Sequence, residues 1–159
     1  MLVGIFSDTH DNLWQIEQAI KEFSDRKVET VLHAGDIVAP FAAKAIAKIT
    51  VPVHIIYGNN DGEKVGLKMI FPQIHNGPIE IKLGNRLIAM AHDFSQIPKE
   101  MQERADVLVA GHTHQAFVKE ENGKLFINPG ECGGWLKGRS TIAILDINTL
   151  QAQIIDIPL

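Results

Sequence analysis

Leu2-Val3-Gly4-Ile5-Phe6-Ser7-Asp8-Thr9-His10 runs an apolar strand straight into a carboxylate and an imidazole. Leu2 to Phe6 is apolar on both faces, the pattern of a short strand in a sheet covered on both sides. Asn12 follows as a helix cap, and Leu13, Ile16, Ala19, Ile20 and Phe23 recur at helical spacing. The same order then repeats. Thr30 to Leu32 predicts a second strand ending in His33-Ala34-Gly35-Asp36, and Pro40 opens a helix carrying Phe41, Ala45, Ile46 and Ile49. Val53 to Ile56 predicts a third strand, ending in Tyr57-Gly58-Asn59-Asn60-Asp61. Strand and helix in alternation predict a parallel sheet.

The second half changes character. Ile79 to Leu83 and Arg86 to Ala91 flank Gly84-Asn85, a tight hairpin turn. A short helix near Pro98 to Arg104 leads to a strand at Val107 to Ala110. Gln115 to Val118 and Leu125 to Ile127 flank Asn122-Gly123 as a second hairpin. Thr141 to Asp146 and Gln153 to Ile157 form a last pair turning at Asn148-Thr149. The expectation is one α/β domain over residues 1–159, parallel in its first half and richer in hairpins in its second.

Chemistry gathers where the strands stop. Asp8 and His10, Asp36, Asn59, and His112 with His114 of Gly111-His112-Thr113-His114 each follow an apolar run, and His92 closes another. Open α/β sheets bind ligands at the carboxyl ends of their strands. His112 and His114, one residue apart, are expected to face one side of an extended segment. Oxygen and nitrogen donors for two divalent cations are thus in hand, which points to metal-assisted hydrolysis of a phosphate ester.

Composition sets bounds on partners. A net charge of -4 argues against a broad surface for long nucleic acid, which needs clustered cations. A single cysteine, Cys132, precludes an internal disulfide and suits a reducing compartment. No stretch approaches the roughly 20 apolar residues needed to span a bilayer, and Met1 to Phe6 runs into Ser7-Asp8 without a basic leader. A cytoplasmic protein with no membrane partner is expected, and exposed strand edges in the hairpin half would permit a homodimer.

The ordered set D-x-H, G-D, G-N-N-D, strand-end His and G-H-T-H resembles the calcineurin-like metallophosphoesterases, in particular their small prokaryotic phosphodiesterase branch. The resemblance runs from Val3 to about Arg139. It implies a four-layer α/β/β/α sandwich with a dinuclear metal cleft at the carboxyl ends of the strands. Carried over position by position, one metal would take Asp8, His10 and His114, the other Asn59, His92 and His112, and Asp36 would bridge both. Asp36 and Asn59 would then also be catalytic, and a bridging hydroxide would attack phosphorus in line with the leaving alcohol. Two carboxylates contribute about -2 against +4 from the ions, leaving a site that attracts phosphate. A nitrogen and oxygen donor set without thiolate suits Mn first, with Ni, Co, Fe or Zn as alternatives. The implied function is hydrolysis of a small phosphate ester, a phosphodiester before a monoester. The alternative is a non-catalytic scaffold on the same fold, as in a small retromer subunit that resembles it.

Three positions depart from the wider family. Asn60 stands where many relatives carry a His that protonates the leaving group. Asp93 follows His92 where Gly is usual, and can bind metal, hold a ligand His or repel the substrate. Glu131 replaces Ser in Asn128-Pro129-Gly130-Glu131, a turn expected to be structural. His33 is expected to orient a ligand, to contact the substrate or to be structural, Asp11 and Asp61 to cap and turn, and Lys137 and Arg139 to sit in a solvated loop or else to help bind phosphate. The loops at Asn60 to Phe71 and Asp93 to Lys99 are expected to border the cleft.

Overall fold

The computed structural model describes residues 1–159. Strands β1 (Leu2–Phe6), β2 (Thr30–His33) and β3 (Val53–Ile55) pair in parallel and are joined through helices α1 (Leu13–Asp25) and α2 (Pro40–Ile46). A helix α3 (Lys64–Ile70) follows, then the hairpin β4 (Ile79–Leu83) and β5 (Arg86–Met90). A single 3₁₀ turn (Phe94–Gln96) and α4 (Lys99–Arg104) lead to β6 (Val107–Val109). The hairpin β7 (Phe117–Glu121) and β8 (Lys124–Asn128) and the hairpin β9 (Ser140–Asp146) and β10 (Gln151–Ile157) complete the chain.

These strands form two five-stranded sheets, ordered β10-β9-β1-β2-β3 and β4-β5-β6-β8-β7. The continuous apolar runs are strands buried on two faces. In β1, Val3 and Ile5 pack against the second sheet while Phe6 packs against the helices. In β9, Ala143 and Leu145 take the inner face, Ile142 and Ile144 the helical one. The second sheet alternates likewise. Ile88, Met90, Val107 and Val109 face inward, whereas Ala89, Ala91 and Leu108 pack with Ile97 and Ala105 beside α4. Three apolar interfaces therefore separate four layers, helices on sheet on sheet on helix, as the resemblance implied.

Several local readings need correction. Lys64–Ile70 is helical, although no apolar stripe marks it; among its residues only Leu67 is buried. The strand expected at Gln115 to Val118 lies at Phe117–Glu121, because pairing through the Asn122-Gly123 turn sets its register rather than its hydrophobicity. Helix α2 stops at Ile46, short of Ile49. No helix is long and apolar enough to cross a membrane.

Strands β1, β2 and β3 of one sheet, and β5 and β6 of the other, are parallel neighbours. Their carboxyl ends therefore open onto shared edges, and every expected ligand follows one of them.

Candidate metal centre

The loops after β1 and β2 are bonded to each other before any side chain enters. Asp8 N–H donates to the Gly35 carbonyl (3.0 Å), His10 N–H to that of Asp36 (3.2 Å) and Asp11 N–H to that of Ile37 (3.1 Å). This pairing bends the chain into left-handed conformations at Asp8 (φ 52°), His10 (φ 40°) and Asp36 (φ 62°). His112 (φ 67°) and His114 (φ 58°) are left-handed too. Five of the seven expected ligands thus occupy backbone regions that cost energy and persist where the surroundings over-determine them. The extended geometry expected for His112-Thr113-His114 is not what unites these histidines; His112 turns to Asn59 and His114 to Asp8.

Gly58 makes the crowding possible. A Cβ there would lie 2.1 Å from Asp36 Oδ1 and 2.4 Å from its backbone nitrogen. A Cβ on Gly111 would come within 2.4 Å of Asp8 Oδ2.

The side chains converge in two overlapping groups: Asp8, His10 and His114, and Asp8, Asp36 and His92. Asp8 Oδ2 accepts from Ser7 Oγ and from His112 N–H, which leaves Oδ1 facing His114 Nε2 (3.3 Å) and His10 Nε2 (3.8 Å). Asp8 Oδ1, His10 Nε2 and His114 Nδ1 are buried without a hydrogen-bond partner. Buried polar atoms are normally paired; Asp8 Oδ1 and His10 Nε2, with His114 Nε2 turned toward Asp8, fit a cation, whereas His114 Nδ1 faces Glu131. Asp36 Oδ2 lies between the groups, 3.6 Å from His10 Nε2 and 3.4 Å from His92 Nε2. Asn59 Oδ1 is 2.9 Å from both His92 Nε2 and His112 Nδ1, a third convergent set.

Burial favours a neutral Asp36, but hydrogen bonds from His92 and from both the amide and side chain of Asn60 outweigh it and hold the carboxyl well below the usual range. Burial likewise opposes charge on His92, yet the Asp36 carboxylate and the Ala34 carbonyl, 2.7 Å from Nδ1, raise it to about 9. His114 is raised chiefly by Asp8, with Glu131 adding to it against burial. The carboxylates thus favour the protonated forms of His92 and His114, whose protons a divalent ion would displace.

His33 sits beneath the ligands. Gly35 N–H donates to its Nδ1 (3.1 Å), and its Nε2 meets Thr9 Oγ1 (3.3 Å) between the two D-x-H ligands. Burial pushes its pKa down to about 4. A neutral folded form means that the unfolded chain binds the extra proton below the ordinary 6.5. Stability contributed by His33 is therefore complete above that value and lost as pH falls from 6.5 to about 4. For the metal-free protein, urea unfolding at pH 7 and pH 4.5 should differ by up to about 3 kcal/mol through this group. In His33→Gln that slope should flatten; an unchanged slope would assign it elsewhere.

Asn60 is bonded to Asp36 through its backbone N–H and one N–H of its exposed side-chain amide. Asp93 caps the 3₁₀ turn by accepting Ser95 N–H (2.7 Å), and its other oxygen stands 3.6 Å from His112 Nε2. Of its three expected roles, the geometry matches holding a ligand His.

Two carboxylates matter more than their sequence context indicated. Asp61 is 2% exposed and accepts four backbone N–H groups, from Asp36, Ile37, Val38 and Gly58. Glu131 is 1% exposed and accepts the N–H groups of Trp135, Leu136 and Lys137, while its Oε2 lies 3.4 Å from His114 Nδ1. A carboxylate behind a ligating imidazole fixes its tautomer and raises its basicity. Glu131→Gln should weaken binding of the tighter ion by about 10–100-fold, measured by competition with a chelating indicator. An unchanged affinity would reduce Glu131 to a loop anchor.

Two linked metal-binding clusters at the strand ends of an α/β sandwich define a dinuclear metalloprotein. The chain belongs to the calcineurin-like phosphoesterase superfamily, whose domain matches residues 1–150. It is 40% identical over 154 residues to a phosphodiesterase of Methanocaldococcus jannaschii, with 92% of this chain and 93% of that protein covered. A solved archaeal phosphodiesterase superposes with a TM-score of 0.89 at 38% identity, covering 99% of this chain and 100% of that one. The phosphoesterase Yfce of E. coli shares the fold, with a TM-score of 0.76 at 18% identity over 99% of this chain and all of its own.

Proposed function

We propose that the cleft is a dinuclear metal centre hydrolysing a small phosphodiester. The observation that carries this reading is the shared position of Asp8 and Asp36 between imidazoles, with Asp8 Oδ1 and His10 Nε2 buried and unpartnered and His114 Nε2 turned toward Asp8. The residues that would hold one ion are Asp8, His10 and His114; those for the other are Asn59, His92 and His112, with Asp36 bridging. Phosphodiesterase relatives at 40% and 38% identity support the diester over the monoester. Mn²⁺ is the ion we favour, and the donor set also accommodates Ni, Co, Fe and Zn.

Divalent ions bound there would supply positive charge for the phosphate oxygens and acidify a water to a pKa of about 7 in a favourable zinc-like site. The chain's own residues do the rest. Asn60 fixes Asp36 through both carboxylate oxygens, the Ala34 carbonyl orients His92 through Nδ1, and Glu131 orients His114. An amide is not an acid near neutral pH, so Asn60 offers no proton to the departing alcohol. Rates should therefore depend strongly on leaving-group acidity.

The test is to strip the protein of metal, restore Mn²⁺, and compare bis-p-nitrophenyl phosphate with p-nitrophenyl phosphate. Metal-dependent turnover favouring the diester is expected, with alkyl diesters at least about 100-fold slower, a difference of about 2.7 kcal/mol or more in barrier. Comparable rates for nitrophenyl and alkyl esters would sink the role given to Asn60. A monoester preference would overturn the substrate class, and no turnover with Mn, Ni, Co or Zn would favour a scaffold.

A further inference from the structure

The segment after Glu131 is built into the wall of the cleft. Cys132 N–H donates to the Ser7 carbonyl (3.0 Å) and Gly133 N–H to that of Asp8 (2.9 Å). Asn12 Nδ2 donates to the Gly133 carbonyl at 2.7 Å. Glu131 then gathers three successive N–H groups, those of Trp135, Leu136 and Lys137. Trp135 closes the ring by donating its indole N–H to the carbonyl of His10 at 3.0 Å. Its one polar atom is thereby satisfied within the D-x-H turn, yet the side chain remains 63% exposed. A large aromatic left open to water, on a loop pinned at five points, is preorganised for a ligand rather than for the core.

A lysine follows two residues later in the same loop. Lys137 lines a recess of about 290 Å³ together with His114, Gln115, Ala116, Arg139 and Thr141. Arg139 is paired with Asp156, whereas Lys137 forms no ion pair. An aromatic face and an ammonium two residues apart, on one anchored loop beside a phosphate-attracting centre, match a ligand that joins a planar ring to a phosphate. Base–aromatic stacking with a basic neighbour is how single nucleotides are held without reading their sequence.

We infer that Trp135 is a substrate-binding platform, and that the diester carries a planar, nucleobase-like ring on one of its alcohols. This deepens the phosphodiesterase reading and rests on it for the reaction, though not for the binding. The alternative is that the indole merely caps the His10 carbonyl. Trp135→Phe and Trp135→Ala both remove that cap, and only the first keeps a ring, so the pair separates the two roles.

The experiment is calorimetric titration of the Zn²⁺-loaded protein with adenosine 5′-monophosphate and with methyl phosphate, alongside turnover of phenyl and methyl p-nitrophenyl phosphate, which share a leaving group. The unaltered protein should prefer the ring-bearing member of each pair by about 10-fold or more. Trp135→Ala should erase that preference while leaving methyl phosphate binding unchanged, and Trp135→Phe should keep most of it. Equal affinity for the two phosphates, or equal behaviour of the Phe and Ala variants, would overturn the platform. Ring-dependent binding without turnover of either diester would instead sink the hydrolase reading and leave the platform standing.

Discussion

Asp36→Asn, reloaded with Mn²⁺, should hydrolyse bis-p-nitrophenyl phosphate on the order of 10³-fold more slowly than the unaltered protein. The reason lies in where Asp36 Oδ2 stands, within 3.6 Å of His10 Nε2 and 3.4 Å of His92 Nε2, on the line between the two groups of donors. A neutral amide there removes the negative charge both ions would share, and its nitrogen would face either Asn60 or His92 as donor against donor. The backbone need not move, because the amide oxygen can still accept Asn60 N–H. The buried donor clash should also lower the melting temperature of the metal-free variant, so turnover is compared on folded protein. Retention of more than about a tenth of the activity, with metal content verified, would remove Asp36 from the centre of the mechanism.

Asp61→Asn should produce the largest loss of stability, about 3 kcal/mol or more. Asp61 Oδ1 accepts from Ile37 and Val38 at 2.8 and 2.7 Å, and Oδ2 from Asp36 and Gly58 at 3.0 and 2.7 Å. An amide can satisfy one of these pairs, and its NH₂ must confront the other. The carboxylate also holds Val38 at φ 89°, an unfavourable conformation for a β-branched residue. For a domain of this size the melting temperature should fall by about 6–12 °C. Because Asp36 and Gly58 are the residues released, metal affinity should fall with it. A melting temperature within 2 °C of the parent, roughly half a kcal/mol or less, would show that water replaces the lost acceptor.

Asp61 also shows where sequence reading stopped. The candidate site is legible because each of its residues follows an apolar run, and runs buried on two faces need no partner to be recognised. The four-layer order was legible only through the family resemblance. Asp61 itself looked like one more turn residue, since its donors at Asp36 to Val38 lie more than twenty positions earlier and leave no local trace. Glu131 was passed over for the same reason. Its partner His114 lies a whole hairpin earlier, before β7 and β8, and the one visible signal is an ionisable residue where relatives carry Ser. Helix α3 escaped because only Leu67 turns inward, so there was no stripe to detect. His112 and His114 were assigned to the site on a spacing that implied an extended backbone; they meet there through two left-handed residues instead.

Those left-handed turns bear on how the protein exchanges its ions. The unfavourable backbone geometry at Asp8, His10 and Asp36 is held by β1–β2 loop pairing and the Asp61 clamp. An arriving cation then meets donors already converged, and its entry rate is set by how fast it sheds its own water. Rapidly dehydrating ions would load first whichever binds best at equilibrium, so occupancy in a short assay would follow the order of addition.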